Sequence, residues 1–187
     1  MVQFRLWYDD AEAEGIHMPN AMALATAGAD AAPSVRNVLL RGFDERGFTF
    51  YTNYASRKAR QLDENPRAAF AILWKELDRQ VCVTGDVERT SHEESDAYFS
   101  TRPREARLGA WASRQSEVIA SRAELMARFT ETGDAYPGDD VPLPPFWGGY
   151  RLSPDTVEFW QGRAFRLHDR LRYTRSGRGW QLERLSP

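Results

Sequence analysis

Cationic and amide side chains recur beside aromatic ones along this chain: Arg36, Arg41, Tyr51, Arg57, Lys58, Gln80, Tyr98, Arg102, Gln115, Trp160, Arg166, His168 and Arg170. These residue types suit a planar heteroaromatic ligand that carries phosphate. Arginine forks hold the phosphate, amides and backbone groups read the ring edge, and an aromatic side chain packs on a ring face. Such a protein binds a cofactor that brings the difficult chemistry with it. Other chemistries find no support. The chain has no Gly-x-Ser-x-Gly, no Cys/His arrangement and no glycine-rich dinucleotide loop. No paired carboxylates sit in an apolar frame, so glycosidase and protease chemistry drop out. His17, His92 and His168 lack metal-ligand spacing, and no metal is expected. The single cysteine, Cys82, lies inside the apolar run Val81-Cys82-Val83 and reads as a core residue.

Three local patterns sharpen the anion reading. Ser56 is a candidate N-cap, yet Arg57 and Lys58 fill the first helical turn, where the macrodipole disfavours cations. They make sense if a phosphate sits at the free N–H groups there; otherwise the helix end is solvated and frayed. Tyr98 and Arg102 are four apart on a helix and share a face, where they could bind a phosphate or carboxylate, or simply stack cation on ring. In Phe159–Arg170, a strand, a turn at Gly162 and a second strand from Phe165 to Tyr173 are expected. Its parity puts Ala164, Arg166, His168, Arg170 and Arg172 on one face, and Phe165, Leu167, Leu171 and Tyr173 on the other. The cationic face is either solvated or covered by something anionic.

The elements that must position these residues are mostly strands. At 187 residues the chain fits one domain with a real core. A net charge of −2 gives no global pull toward nucleic acid or anionic membrane, so any cationic site is local. No apolar run is long enough to span a bilayer and no signal pattern opens the chain, which makes the cytoplasm the expected compartment. A helix is expected over Phe4–Glu14, then strands at 21–27, 34–42 and 48–53 joined by short turns. A helix follows from Ser56 to before Pro66, then strands at 67–74 and 80–89, with Gly85 marking a bulge or a close backbone approach. Capping boxes at Ser91–Glu94 and Ser121–Glu124 open two more helices. The stretch 109–117 reads as polar and unassigned, 133–149 as a loop, and 150–153, 156–160, 165–173 and 180–185 as the last strands. Eight or nine hairpin-linked strands with three or four helices point to a mainly β fold. A closed or nearly closed antiparallel barrel with peripheral helices removes exposed edges.

At the level of motifs the chain resembles a known family. The motifs are Arg36-Asn37-Val38-Leu39-Leu40-Arg41, Phe50–Asn53, Ser56-Arg57-Lys58, Arg79-Gln80-Val81, Tyr98–Arg104, Gly109-Ala110-Trp111, Gln115-Ser116, Pro145–Gly149 and Glu158–Gly162 through Arg166–Arg170. In that order, over nearly the whole chain, they look like pyridoxine/pyridoxamine 5′-phosphate oxidase. The resemblance implies one split β-barrel domain over residues 1–187, a homodimer with FMN at the subunit interface, and no nucleic-acid or membrane partner. For FMN it implies Arg36, Asn37, Val38, Leu39, Leu40, Arg41, Tyr51, Thr52, Arg57, Lys58, Gln80, Gln115, Ser116, Trp160 and Arg170. For a pyridoxamine or pyridoxine 5′-phosphate substrate it implies Tyr98 and Arg102 on the phosphate, Arg41 touching both ligands, and Arg166 and His168 over the pyridine ring as the catalytic pair. Hydride would pass from the substrate's 4′ carbon to the flavin, O2 would reoxidise it to give H2O2, and pyridoxal 5′-phosphate would leave. Arg172 keeps the reading of a solvated surface charge.

Three departures bear on the substrate. Arg41 stands where the family usually has lysine, keeping charge but not shape. Ala106 stands where a serine commonly helps hold the substrate phosphate. The chain also starts close to its first helix, so the segment that covers the substrate in many members is expected to be missing. A phenazine-biosynthesis flavin oxidase on the same scaffold, or a non-catalytic flavin-binding protein, are the competing readings; retention of Tyr98 and Arg102 weighs against the second.

Overall fold

The computed structural model describes residues 1–177 and 179–187. Its first element, α1 (Val2–Ala13), lays Phe4 and Ala11 onto the core. Next come β1 (Ala21–Ala27), β2 (Pro33–Leu39), β3 (Gly42–Asp44), β4 (Gly47–Asn53), α2 (Arg57–Glu64), β5 (Arg67–Trp74) and β6 (Arg79–Arg89). Three helices follow, α3 (His92–Ser100), α4 (Arg104–Ala112) and α5 (Arg122–Ala135), and then β7 (Trp147–Gln161), β8 (Asp169–Ser176) and β9 (Gly179–Leu185).

All nine strands belong to one antiparallel sheet ordered β2-β1-β5-β6-β7-β4-β3, with β8 on β7 and β9 on β8. Only Leu40 and Arg41 separate β2 from β3, which stand at opposite ends of that order. So short a link forces the sheet to curl until its two edges meet, and the Arg41 N–H donates to Thr49 O across the seam. The barrel is split at β7. One edge of β7 pairs with β6 along 150–161, while the other pairs with β4 over 147–152 and with β8 over 156–161.

The core fills the barrel with Phe48, Phe50, Phe70, Ile72, Trp74, Val81 and Val83, and Phe4 of α1 meets Phe43 and Phe48 edge to face. Alternation does the sorting: β1 buries every second residue, and β5 does so through most of its length. A smaller cluster of Phe99, Ala110 and Trp147 fixes α3 and α4 over the start of β7.

Expected elements depart from the structure at several points, the first being the strand expected over 34–42, which breaks at Leu40 and Arg41 into β2 and β3. Residues 150–160 form one strand, not two, because Pro154 sits beside a bulge in β7 itself, where Asp155 is skipped as the ladder shifts register between Thr84 and Gly85 and a missing N–H does little harm. Part of the unassigned stretch 109–117 belongs to α4. The strand expected from Phe165 begins only at Asp169. Ala164–Arg166 instead form a short 3-10 turn in which Phe165 (φ 59) and Arg166 (φ 62) are left-handed. The parity therefore fails before residue 169: Phe165 is 92% and Leu167 69% exposed, and neither joins the core.

Candidate functional site

The curl of the sheet leaves a cleft of about 520 Å³ between β2, β4, the start of α2, and α3–α4. That volume is in the range of small-molecule cofactor sites. Its walls are Asn37, Val38 and Leu39 of β2, with Arg41 at the seam, and Tyr51, Thr52 and Asn53 of β4. Lys58 of α2, Tyr98, Arg102, Ala106 and Gln115 complete it.

The α2 start is built as the sequence implied. Ser56 caps the helix, its hydroxyl accepting from the Ala59 N–H. The segment after α4 folds down onto it, the Arg57 N–H donating to Ser116 Oγ at 3.1 Å and Asn53 Nδ2 to Ser113 O at 3.1 Å. Lys58 is buried, and its ammonium donates to Thr52 Oγ1 and Gln115 Oε1, both at 3.0 Å. Arg36 donates to Leu24 O at 3.2 Å and Thr26 Oγ1 at 2.6 Å, and also to Ser34 Oγ. Burial, with Arg36 nearby, pushes the Lys58 ammonium down to about 8. Burial, then Arg57, lowers Arg36 from its ordinary value. Burial is the main cause in both, and the neighbouring cation adds to it.

The other end of the cleft is aromatic. Tyr51 stacks on Tyr98 with centroids 4.0 Å apart at 16°, and lies 5.6 Å from Trp147 at 9°. Arg102 sits 4.7 Å over the Trp147 ring, and Arg41 lies 5.7 Å from the Tyr98 ring. The shared helix face expected for Tyr98 and Arg102 is not formed: Arg102 lies beyond the end of α3 and rests on Trp147 and Phe99 rather than on Tyr98, and its buried Nη1 has no partner among the described residues. Burial, opposed by Tyr98 and reinforced by Arg41, lowers the Arg102 pKa. Among the described residues, none of Arg36, Arg41, Arg57, Lys58 or Arg102 forms a salt bridge. Three cations lining one cleft, Arg41, Lys58 and Arg102, with Arg36 and Arg57 beside Lys58, fit an anionic planar ligand.

The remaining expected residues lie elsewhere. Gln80, Trp160 and Arg170 form a row in register across β6, β7 and β8. Trp160 is eleven residues from Gly149 along β7, on the order of 30 Å of strand. Arg170 is engaged there, bidentate on Glu158 at 2.7 and 3.1 Å. His168 packs 4.6 Å from the Trp160 ring, and its Nδ1 accepts from the Arg163 N–H at 3.1 Å, which leaves Nε2 as the protonated nitrogen. Arg166 is exposed at its left-handed position. Arg172 pairs with Glu183 at 2.9 Å and stays partly exposed, as a surface charge should. One chain therefore carries two half-constellations: the cleft group, and the Gln80/Trp160/Arg166/His168/Arg170 group.

Leu40 is fully in the core, so only its backbone can serve a ligand. Asn53, Ser113 and Trp147 line the cleft without having been singled out as site residues. Gln61 is a further one behind the wall. It lies one turn after Lys58 on the same face of α2, but that spacing does not reveal its partners, which come from distant strands.

Comparison with known proteins agrees with this architecture. Residues 8–134 match the family model described as pyridoxamine 5′-phosphate oxidase, and residues 147–187 the pyridoxine 5′-phosphate oxidase C-terminal dimerisation region. A pyridoxine/pyridoxamine 5′-phosphate oxidase of Rubrobacter xylanophilus is 59% identical over 185 residues, covering 99% of this chain and 85% of that one. One from Nostoc punctiforme is 54% identical over 187 residues, covering 100% and 87%. Among solved structures, PhzG from Burkholderia lata 383 in complex with tetrahydrophenazine-1-carboxylic acid superposes with a TM-score of 0.94 at 34% identity, covering 100% of this chain and 91% of that one. A pyridoxamine 5′-phosphate oxidase-related, FMN-binding protein from Nostoc punctiforme shares the fold, with a TM-score of 0.80 at 20% identity over 98% and 97% of the two chains. With residues 8–134 and 147–187 matched in order, and relatives above half identity over nearly all of this chain, the chain belongs to the pyridoxine/pyridoxamine 5′-phosphate oxidase family.

Proposed function

We propose that the protein oxidises pyridoxamine or pyridoxine 5′-phosphate to pyridoxal 5′-phosphate, using FMN held between two copies of the chain. The observation that carries this reading is the set of carboxylate-free cations around an aromatic-walled cleft. In it, Arg36, Arg57 and Lys58 hold the cofactor phosphate at the start of α2, where the positive end of the helix dipole adds to their charge. Thr52, Gln115 and Ser116, with the backbone from Asn37 to Arg41, address the rest of the flavin. Tyr98 and the unpartnered Nη1 of Arg102 receive the substrate phosphate. Arg41, lying by Tyr98, reaches both ligands.

The Gln80/Trp160/Arg170 row and the Arg166/His168 pair act on the partner's cleft, because their own lies too far along β7. The match of residues 147–187 to a dimerisation region supports this. Arg166 and His168 then orient the pyridine ring, with the His168 Nε2–H as donor. When bound, FMN would supply the two-electron chemistry that oxidises the 4′ carbon at the expense of O2. The protein's contribution is orientation and placed charge.

The test is to purify the protein, look for bound flavin by visible absorbance, and add pyridoxamine 5′-phosphate without oxygen. Bleaching with aldehyde formation is expected. Flavin that stays oxidised would sink this assignment in favour of a phenazine-type or non-catalytic relative, and failure to bind FMN would remove all three.

A further inference from the structure

Gln61 has no part in the reading above, yet its amide oxygen is where the cationic corner meets. It accepts from Thr26 Oγ1 and Ser34 Oγ, each at 2.7 Å, and from Arg36 Nη2 at 3.4 Å. Thr26 Oγ1 in turn accepts from Arg36 Nη1 at 2.6 Å, and Ser34 Oγ from Nη2. The guanidinium is thereby locked into a closed ring of hydrogen bonds behind the cleft. Gln61 is 9% exposed, and the carboxylates of its helix turn away: Asp63 pairs with Arg89 and Glu64 accepts from the Ala29 N–H.

An amide oxygen can orient a guanidinium without cancelling its charge. A glutamate has the same shape and would hold Arg36 as well or better, but as an ion pair it would spend the field the site needs. The same device recurs at Lys58, whose ammonium is held by Thr52, Gln115 and Ser56 and by no acid among the described residues.

We infer that Gln61 is a positioning residue of the cofactor site, a neutral acceptor that fixes Arg36 while leaving its charge for the flavin phosphate. This deepens the FMN reading and rests on it. It requires Gln61→Glu to move two observables in opposite directions. Free of flavin, the variant should keep or raise its thermal midpoint, because the added carboxylate relieves repulsion among Arg36, Arg57 and Lys58. Its Kd for FMN should rise about tenfold or more, since one unit charge is lost beside the phosphate. Riboflavin, which lacks the phosphate, should bind the variant and the wild type alike. Gln61→Met, which fills the space but accepts nothing, should weaken FMN several-fold and again spare riboflavin. It keeps the test open if the glutamate variant does not fold. FMN binding as tight as wild type in either folded variant, or equal losses for FMN and riboflavin, would overturn the inference. A wild type that binds neither flavin removes the function reading itself, and this inference with it.

Discussion

Lys58 shows how one residue can set opposing pH dependences. Its folded pKa, about 8, lies below the ordinary 10.5, so between these values the unfolded chain holds a proton that the folded chain has shed. The linkage sign follows: this group destabilises the flavin-free fold fully below pH 8, and relieves it as pH rises from 8 toward 10.5. Cofactor binding has the opposite sign. A phosphate dianion needs the ammonium, so above pH 8 binding must take up a proton and FMN affinity should fall, approaching tenfold per pH unit. Denaturant titrations of the apo-protein and flavin fluorescence quenching, both from pH 7 to 9.5, measure the two trends, and Lys58→Met should flatten both. An FMN Kd that stays level across this range in the wild type would show that Lys58 faces no phosphate. The roles also split by kinetics. Arg166→Ala should lower turnover more than flavin affinity, whereas Arg57→Ala with Lys58→Ala should chiefly lose FMN; the reverse pattern contradicts the assignment.

At the scale of elements, α3 carries Tyr98, the chain just past its end carries Arg102, and its first turn is clamped to β7. Glu94 meets the buried Arg151 at 2.8 Å, and Ser95 Oγ accepts from the Gly149 N–H at 3.1 Å. A Cβ on Gly148 would collide with Tyr54 and with Ser95 of α3, and one on Gly149 with Thr90 and Tyr51, which accounts for two successive glycines there. Glu94→Gln leaves Arg151 poorly paired and should cost about 1–3 kcal/mol, discounted from a fully buried pair because Glu94 is partly exposed. Its KM for pyridoxamine 5′-phosphate should rise several-fold with FMN affinity unchanged. Parallel loss of both would mean the clamp serves the fold rather than the substrate end. Ser56, Ser91 and Ser121 could all be read from sequence, because a cap is a local bond between neighbours. Phe165 and Arg166 could not. Alternating apolar and cationic residues fit a strand, and nothing local announces two non-glycine residues in the left-handed region. Gln61 hid for a different reason, since its partners on β1 and β2 come from 25 to 35 positions away.

The whole molecule explains why the expected site residues fall into two groups that one chain does not join. Motif order carries family and fold, but it is silent on which residues meet within a subunit and which meet across a pair. The geometry of β7 separates them: its start lines the cleft with Trp147, and its far end presents Trp160 beside Gln80 and Arg170. If two copies complete each other's sites, defects in the two groups should complement. Lys58→Ala disables the cleft, and Trp160→Ala with Arg170→Ala disables the row, so either protein alone should be nearly inactive. Mixed in equal amounts and allowed to exchange subunits, half the dimers become heterodimers. Each has one doubly defective site and one intact site, so activity should return to about a quarter of wild type. Recovery should track heterodimer formation as followed by native mass spectrometry. Heterodimers that form without activity would place both groups in the service of one subunit's own cleft, and would require β7 and β8 to move far from the positions they hold here.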